Sequence, residues 1–263
     1  MNKEELKSLR DEIKEYTEAH LLPFWSTRTM DKTYGGFITH YNEFGEDSGQ
    51  DEKSLIAQSR SVFTYSQAYR HGFGGPIMKE MAEHGVRFML DNMWDHENEG
   101  FYWMMNRKGE ATNRQKIGYG HSFAIYSLSE YTLATGDPVG LEYAEKCFDL
   151  LQKYAVDTHL GGYWEFFSED WKLMGPGAPG GDRKTLDVHM HLMEAFTTLY
   201  EASGKELHRR KLKESIDILI QKVMHAETGT GIPAAGSAGN ASCVISRRVS
   251  FGELSLGLDL PCC

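Results

Sequence analysis

The sequence predicts an all-α fold in which pairs of helices, joined by short extended arms, recur as an array or ring of hairpins. Three observations predict it. Apolar residues at helical spacing mark seven segments. Glycine–aromatic turns recur at Gly36, Gly100 and Gly162, with a fourth glycine turn at Gly229, at spacings of 64, 62 and 67 residues. A period of that size is the signature of stacked supersecondary units. The helices also alternate in character. The second, fourth and sixth mix polar side chains among apolar ones, as pocket-lining helices do, while the others show one apolar stripe opposite a charged face.

The first helix runs from about residue 3 to Leu22 on the stripe Leu6, Leu9, Ile13 and Tyr16, and Pro23 is expected to stop it. An extended piece at 34–38 precedes the second helix, Asp51 to Arg70, which carries the polar patch Gln58, Ser59, Arg60. The third spans Ile77 to about Met93. After the arm at Gly100–Trp103, a fourth helix begins near Tyr119 and ends at Thr135-Gly136-Asp137-Pro138, a helix-stopping run. The fifth follows Leu141, Ala144, Phe148, Leu151 and Tyr154. The third arm, Gly161–Phe167, and a Gly/Pro-rich loop at 175–181 lead to the sixth helix, Lys184 to Tyr200. The seventh carries Leu212, Ile216, Leu219 and Val223. Residues 1–231 thus read as one hairpin unit. Residues 232–263, with one aromatic residue, three of the four cysteines and no helical stripe, read as an atypical tail such as a truncated or shifted reading frame leaves.

Composition narrows the function classes. The net charge of -10, without any basic block, argues against nucleic acid and anionic membranes as partners. No stretch approaches the roughly 18 apolar residues of a membrane span. The charged, amphipathic N-terminus is no signal peptide, so the plain expectation is a cytoplasmic protein. The cysteines have neither disulfide-framework nor zinc spacing.

Titratable groups crowd the head of the sixth helix: Asp187, His189, His191 and Glu194. Asp187 and His191 lie one turn apart and can address the same pocket; Asp187 is equally a helix cap. Glu194, three residues on, can orient His191 or form a surface pair. His189 lies about 200° round the helix from His191 and is assigned to packing. That divergence also makes the cluster a poor metal site, and no HExxH, phosphate-binding loop or GxSxG elbow is present. Trp164 and Trp171 suit either stacking on a sugar or filling the arm region.

Four segments together carry a likeness: Gln58–Tyr69, Tyr119–Asp137, Gly161–Trp171 and Lys184–Tyr200. In this order they resemble the N-acylglucosamine 2-epimerase and cellobiose 2-epimerase superfamily, mannose isomerases included, over about residues 5–231. The resemblance implies an (α/α)6 toroid of twelve helices around a sugar pocket, of which seven are recognisable here. It implies reversible chemistry at C2 of a free reducing sugar, without metal or redox cofactor. Removing the proton alpha to the carbonyl needs a base of pKa near 7 and donors for the enediolate oxygens. By motif match Arg60 is such a donor and His191 the sugar-facing histidine. Tyr119 is a sugar contact, Asp187 replaces an Asn, and His121 replaces the usual Gln. Asp187, Glu194 and Trp164 complete the expected substrate-binding set. The family's two proton-transfer histidines depart from the pattern. Glu253 follows Val249-Ser250-Phe251-Gly252 where the first is expected, and the second would fall beyond Cys263, so little turnover is expected of this chain. A glycoside hydrolase or lyase on a similar toroid would draw on Glu165, Asp187 and Glu194, and a non-catalytic sugar-binding remnant is the third reading. An incomplete ring would expose apolar edges and favour a homodimer.

Overall fold

The computed structural model describes residues 2–176, 181, 183–224, 228–230 and 234–235. The first helix, α1 (Lys3–Tyr16), opens with a capping box in which Asn2 and Glu5 satisfy each other's backbone donors. It does not stop at Pro23. A single π turn, Thr17–Leu21, passes the chain into α2 (Leu22–Arg28), where Pro23 occupies a first-turn position whose missing N–H is not needed. The stripe assigned to an outer helix is present, but Leu6, Leu9, Ile13 and Tyr16 all stand exposed.

Three hairpin units follow: α3 (Leu55–Arg70) with α4 (Ile77–Phe88), α5 (Gly118–Thr135) with α6 (Pro138–Leu150), and α7 (Leu186–Ser203) with α8 (Glu206–Ile218). The second and sixth helices begin later than their sequence patterns, because Lys53–Ser54 and Lys184–Thr185 are short strands. Ser54, Asp137 and Thr185 cap α3, α6 and α7 with side-chain oxygens. Gly136 and Gly204 end α5 and α7 in the left-handed conformation. Each of α4, α6 and α8 finishes in one π turn, at Met89–Met93, Leu151–Ala155 and Leu219–Val223.

The helix α5 packs between α3 and α7 to form the inner layer, and α4, α6 and α8 form the outer one. Accordingly α5 is buried nearly all round. Between the layers lies the core, with Phe37, Val62, Phe101, Phe148, Tyr163 and Phe196 fully enclosed. At the C-terminal ends of the inner helices Arg70 ties all three together, donating to Glu130 of α5 at 3.1 Å and Glu201 of α7 at 2.5 Å.

The arms repeat more closely than the helices. An Asp follows α2 (Asp31) and the π turns that end α4 (Asp95) and α6 (Asp157), and each caps its own turn through backbone N–H groups. A Lys on the strand before each inner helix is inserted against that Asp. Lys53 donates to Asp31 at 3.0 Å, Lys116 to Asp95 at 2.9 Å, and Lys184 to Asp157. Each Lys also donates to a glycine carbonyl of the arm. Burial pushes the Asp95 carboxyl up, but Lys116 and two backbone donors outweigh it and hold it at about 2.

Among the described residues seven short strands join neighbouring units. β1 (Lys53–Ser54), β2 (Met104–Met105) and β3 (Ala111–Asn113) form one antiparallel sheet. β4 (Lys116–Ile117) pairs with β5 (Phe166–Phe167), and β6 (Lys184–Thr185) with β7 (Ala234–Ala235). The last pairing reaches into the segment set apart as a tail; the rest of 232–263, including Glu253, lies outside the described residues. Among the described residues no helix is long and apolar enough to cross a membrane.

Candidate functional site

The fourth residue of each inner helix clamps its own unit's arm. In α3 it is Gln58, whose Oε1 accepts from Phe37 N at 2.8 Å and whose Nε2 donates to Phe37 O at 2.9 Å. In α5 it is His121, which accepts from Phe101 N at 3.0 Å and donates to Ile117 O. In α7 it is His189, which accepts from Tyr163 N at 3.0 Å and donates to Thr185 O. Accepting from an amide requires a neutral ring. Burial enforces it, pushing His121 down to about 3 and His189 below its ordinary value. A Cβ on Gly100 would stand 2.6 Å from Trp171 and 2.9 Å from His121, and its φ of +78° suits glycine. His189 is therefore packed, as its helical angle predicts, and His121 stands in a clamp that Gln fills in the first unit.

The sixth residue of each inner helix faces away from the outer layer, and here the units differ. The three residues are Arg60, Phe123 and His191. They form a row: the Arg60 guanidinium lies 4.7 Å from the Phe123 ring centre, and the His191 ring centre lies 4.5 Å from that of Phe123. Since equal positions meet, the inner helices run parallel and in register. A second row one turn further along holds Phe63, Tyr126 and Glu194. Phe63 stacks on Tyr126 at 3.7 Å, and Glu194 Oε2 lies 2.7 Å from His191 Nδ1, joining the rows. Burial, with the Glu194 charge adding to it, pushes the Tyr126 phenol up.

The structure thus brings Arg60, His191 and Glu194 onto one surface with Tyr119, whose ring meets His191 at 5.1 Å. Asp187 stands exposed in the first turn of α7, one turn before His191. Trp164 is half-buried, with the Lys184 ammonium 4.4 Å from its ring centre, and Trp171 is buried, stacked on Tyr154 and donating to Glu99 O. Among the hydrolase candidates, Glu165 is buried and hydrogen-bonded to Thr185, and Glu194 is engaged by His191. Sequence reasoning missed Phe63, Phe123 and Tyr126. Aligning the inner helices on their arm-clamping residues reveals them, because it puts Phe123 level with Arg60 and His191. Beside Arg60, on its α2 side, a cavity of about 350 Å³ is lined by Trp25, Thr39 and Tyr65 among others.

Parallel inner helices with antiparallel outer partners are the hairpins of an (α/α)6 toroid, and Arg60, Phe123 and His191 form a row on its inner face. Residues 36–232 match the N-acylglucosamine 2-epimerase (GlcNAc 2-epimerase) family, and the chain belongs to it. It is 33% identical to a cellobiose 2-epimerase of Bacteroides fragilis over 230 residues, covering 84% of this chain and 57% of that one. A D-mannose isomerase of Marinomonas mediterranea is 26% identical over 204 residues, covering 76% and 49%. The solved cellobiose 2-epimerase of Spirochaeta thermophila superposes with a TM-score of 0.82 at 29% identity, over 90% of this chain and 59% of that one. The chain therefore spans between 49% and 59% of the length of these relatives.

Proposed function

We propose that this chain carries the substrate-holding part of a sugar 2-epimerase or aldose–ketose isomerase site, acting at C2 of a reducing-end aldose. Family membership supports the class of reaction. The observation that carries the site is the Arg60–Phe123–His191 row, which sets a cation and an imidazole against one aromatic ring. When the opened sugar loses its C2 proton, negative charge develops on O1 and O2. The planar, multi-donor Arg60 guanidinium is suited to hold it. His191, fixed by Glu194, binds and polarises the sugar, with Tyr119, Asp187 and Trp164 as further contacts. By the family pattern the first proton-moving histidine would stand where this chain has Glu253, outside the described residues, so the chain is expected to hold the sugar with little turnover. The unit bearing this site is residues 1–231, and its partner beyond the sugar is a second copy of the chain.

Incubation with mannose, glucose, cellobiose and N-acetylmannosamine in D2O, with binding followed by calorimetry, tests the reading. Sugar binding is expected, with C2 deuteration far below the roughly one turnover per second of working enzymes. Arg60→Ala should weaken binding of the sugar about tenfold without lowering the melting temperature. Release of new reducing ends from a disaccharide would favour a hydrolase instead. An absence of sugar binding, or an Arg60→Ala variant with unchanged affinity, would overturn the proposal.

A further inference from the structure

Glu165 is a buried carboxyl that the site described so far does not use. It occupies the third place after the arm glycine, where the other units have Thr39 and Trp103. That place lies between consecutive inner-helix heads. The Trp103 carbonyl accepts from Leu55 N at 3.0 Å, at the start of α3, and the Glu165 carbonyl accepts from Gly118 N at 2.7 Å, at the start of α5. The Trp103 side chain fills its gap with carbon against Leu55 and Gly120. Glu165 puts a carboxyl there.

Its Oε2 accepts from Thr185 Oγ1 at 2.6 Å, and Thr185 is the N-cap of α7. The same hydroxyl accepts from Val188 N at 3.2 Å. A hydroxyl has one proton, so sending it to Glu165 turns a lone pair toward Val188. The first turn so capped presents Asp187 and, one turn on, His191.

We propose that Glu165 is a positioning residue for the sugar site: its carboxyl orients the Thr185 hydroxyl that caps α7, and thereby sets where Asp187 and His191 stand. This rests on the sugar-site reading above. Charged side chains on the flanking strands are already committed, Lys116 of β4 to Asp95 and Lys184 of β6 to Asp157. On α7, His189 is neutral, and Asp187 is the charge that faces Glu165. Burial raises the Glu165 carboxyl to about 7, against the opposing hydrogen bond from Thr185 and with a smaller push from the Asp187 charge. Near neutrality it therefore passes from a neutral neighbour of Asp187 to a second negative charge.

Amide hydrogen exchange and cellobiose calorimetry on Glu165→Gln, Glu165→Ala and Thr185→Ser decide the matter. Glu165→Gln keeps an acceptor for Thr185, and Thr185→Ser keeps the hydroxyl, so both should leave the Val188 amide protected. Glu165→Ala should speed Val188 exchange roughly fivefold, the scale of a lost cap, and weaken cellobiose binding by a similar factor. Affinity of the natural chain should fall as pH rises through 7, and Glu165→Gln should lessen that fall, leaving the pH dependence that the site histidine His191 contributes. An unchanged Val188 amide in Glu165→Ala, or an unaltered pH profile in Glu165→Gln, would overturn the proposal. If the natural chain binds no cellobiose, the sugar-site reading fails, while Val188 exchange still decides whether Glu165 holds the cap.

Discussion

Equal positions in the three inner helices divide into those that build the repeat and those that do not. Gln58, His121 and His189 do the same mechanical work with two different side chains. A histidine in that place carries a liability that glutamine lacks. His121 is held at about 3, well below its unfolded value near 6.5. Above pH 6.5 neither state takes a proton and the clamp's stability is complete. As pH falls below 6.5 the unfolded chain binds a proton that the folded one cannot, and stability is lost at up to about 1.4 kcal/mol per pH unit. His121→Gln should keep the bond to Phe101 N, as Gln58 keeps that to Phe37 N. Urea midpoints between pH 7 and 5 should then show that much less acid sensitivity in the variant. The sequence made the packing of His189 legible through its helical angle from His191. It hid Phe123, because a phenylalanine inside an apolar helix looks like core until the register with Arg60 is known.

The arms are where sequence periodicity and structure agree best. Glycine–aromatic turns were visible because a left-handed glycine and a buried ring are each required once per unit. The Lys–Asp pairs at the same turns were not, since Asp31 and Lys53, or Asp95 and Lys116, are more than twenty residues apart and look like ordinary surface charges. Pro23 misled for a related reason: a proline stops a helix in its interior and suits its first turn, and only the π turn before α2 makes it the latter. The pairs carry a sharp expectation. Lys116 and Asp95 are both almost fully buried, and a buried pair is costly to break because the remaining charge has no solvent. Lys116→Met should destabilise the chain by about 3–5 kcal/mol in chemical denaturation at pH 7. Adding Asp95→Asn to it should recover part of the loss. Additive effects of the two substitutions would mean that the pair is not coupled.

Among the described residues the helical array has two ends that are not alike. In α3 and α5 the eighth inner-helix positions, Val62 and Ile125, are fully buried; in α7 the matching Met193 is partly exposed. It packs with Leu186 and Met190 against Ile218 and Leu219 as a small cluster apart from the main core. At the other end the α1 stripe lines a groove with Ala68 and Phe73, and its Leu6 and Ile13 are 51% and 57% exposed. Contiguous apolar surface of this kind favours association in water. The alternating inner and outer character of the helices made the hairpin arrangement legible. Nothing in the α1 stripe told that it would stay uncovered, since an apolar stripe reads the same whatever lies against it. The proposed homodimer follows at this scale. Light scattering across a concentration series should give a mass that rises toward twice 29.8 kDa. Leu9→Lys combined with Ile13→Lys should hold the mass at the monomer value. The melting temperature of the dilute protein should hardly change, since neither side chain is buried in the single chain. A monomer at every concentration before substitution would remove the second copy as partner and leave the sugar site untouched.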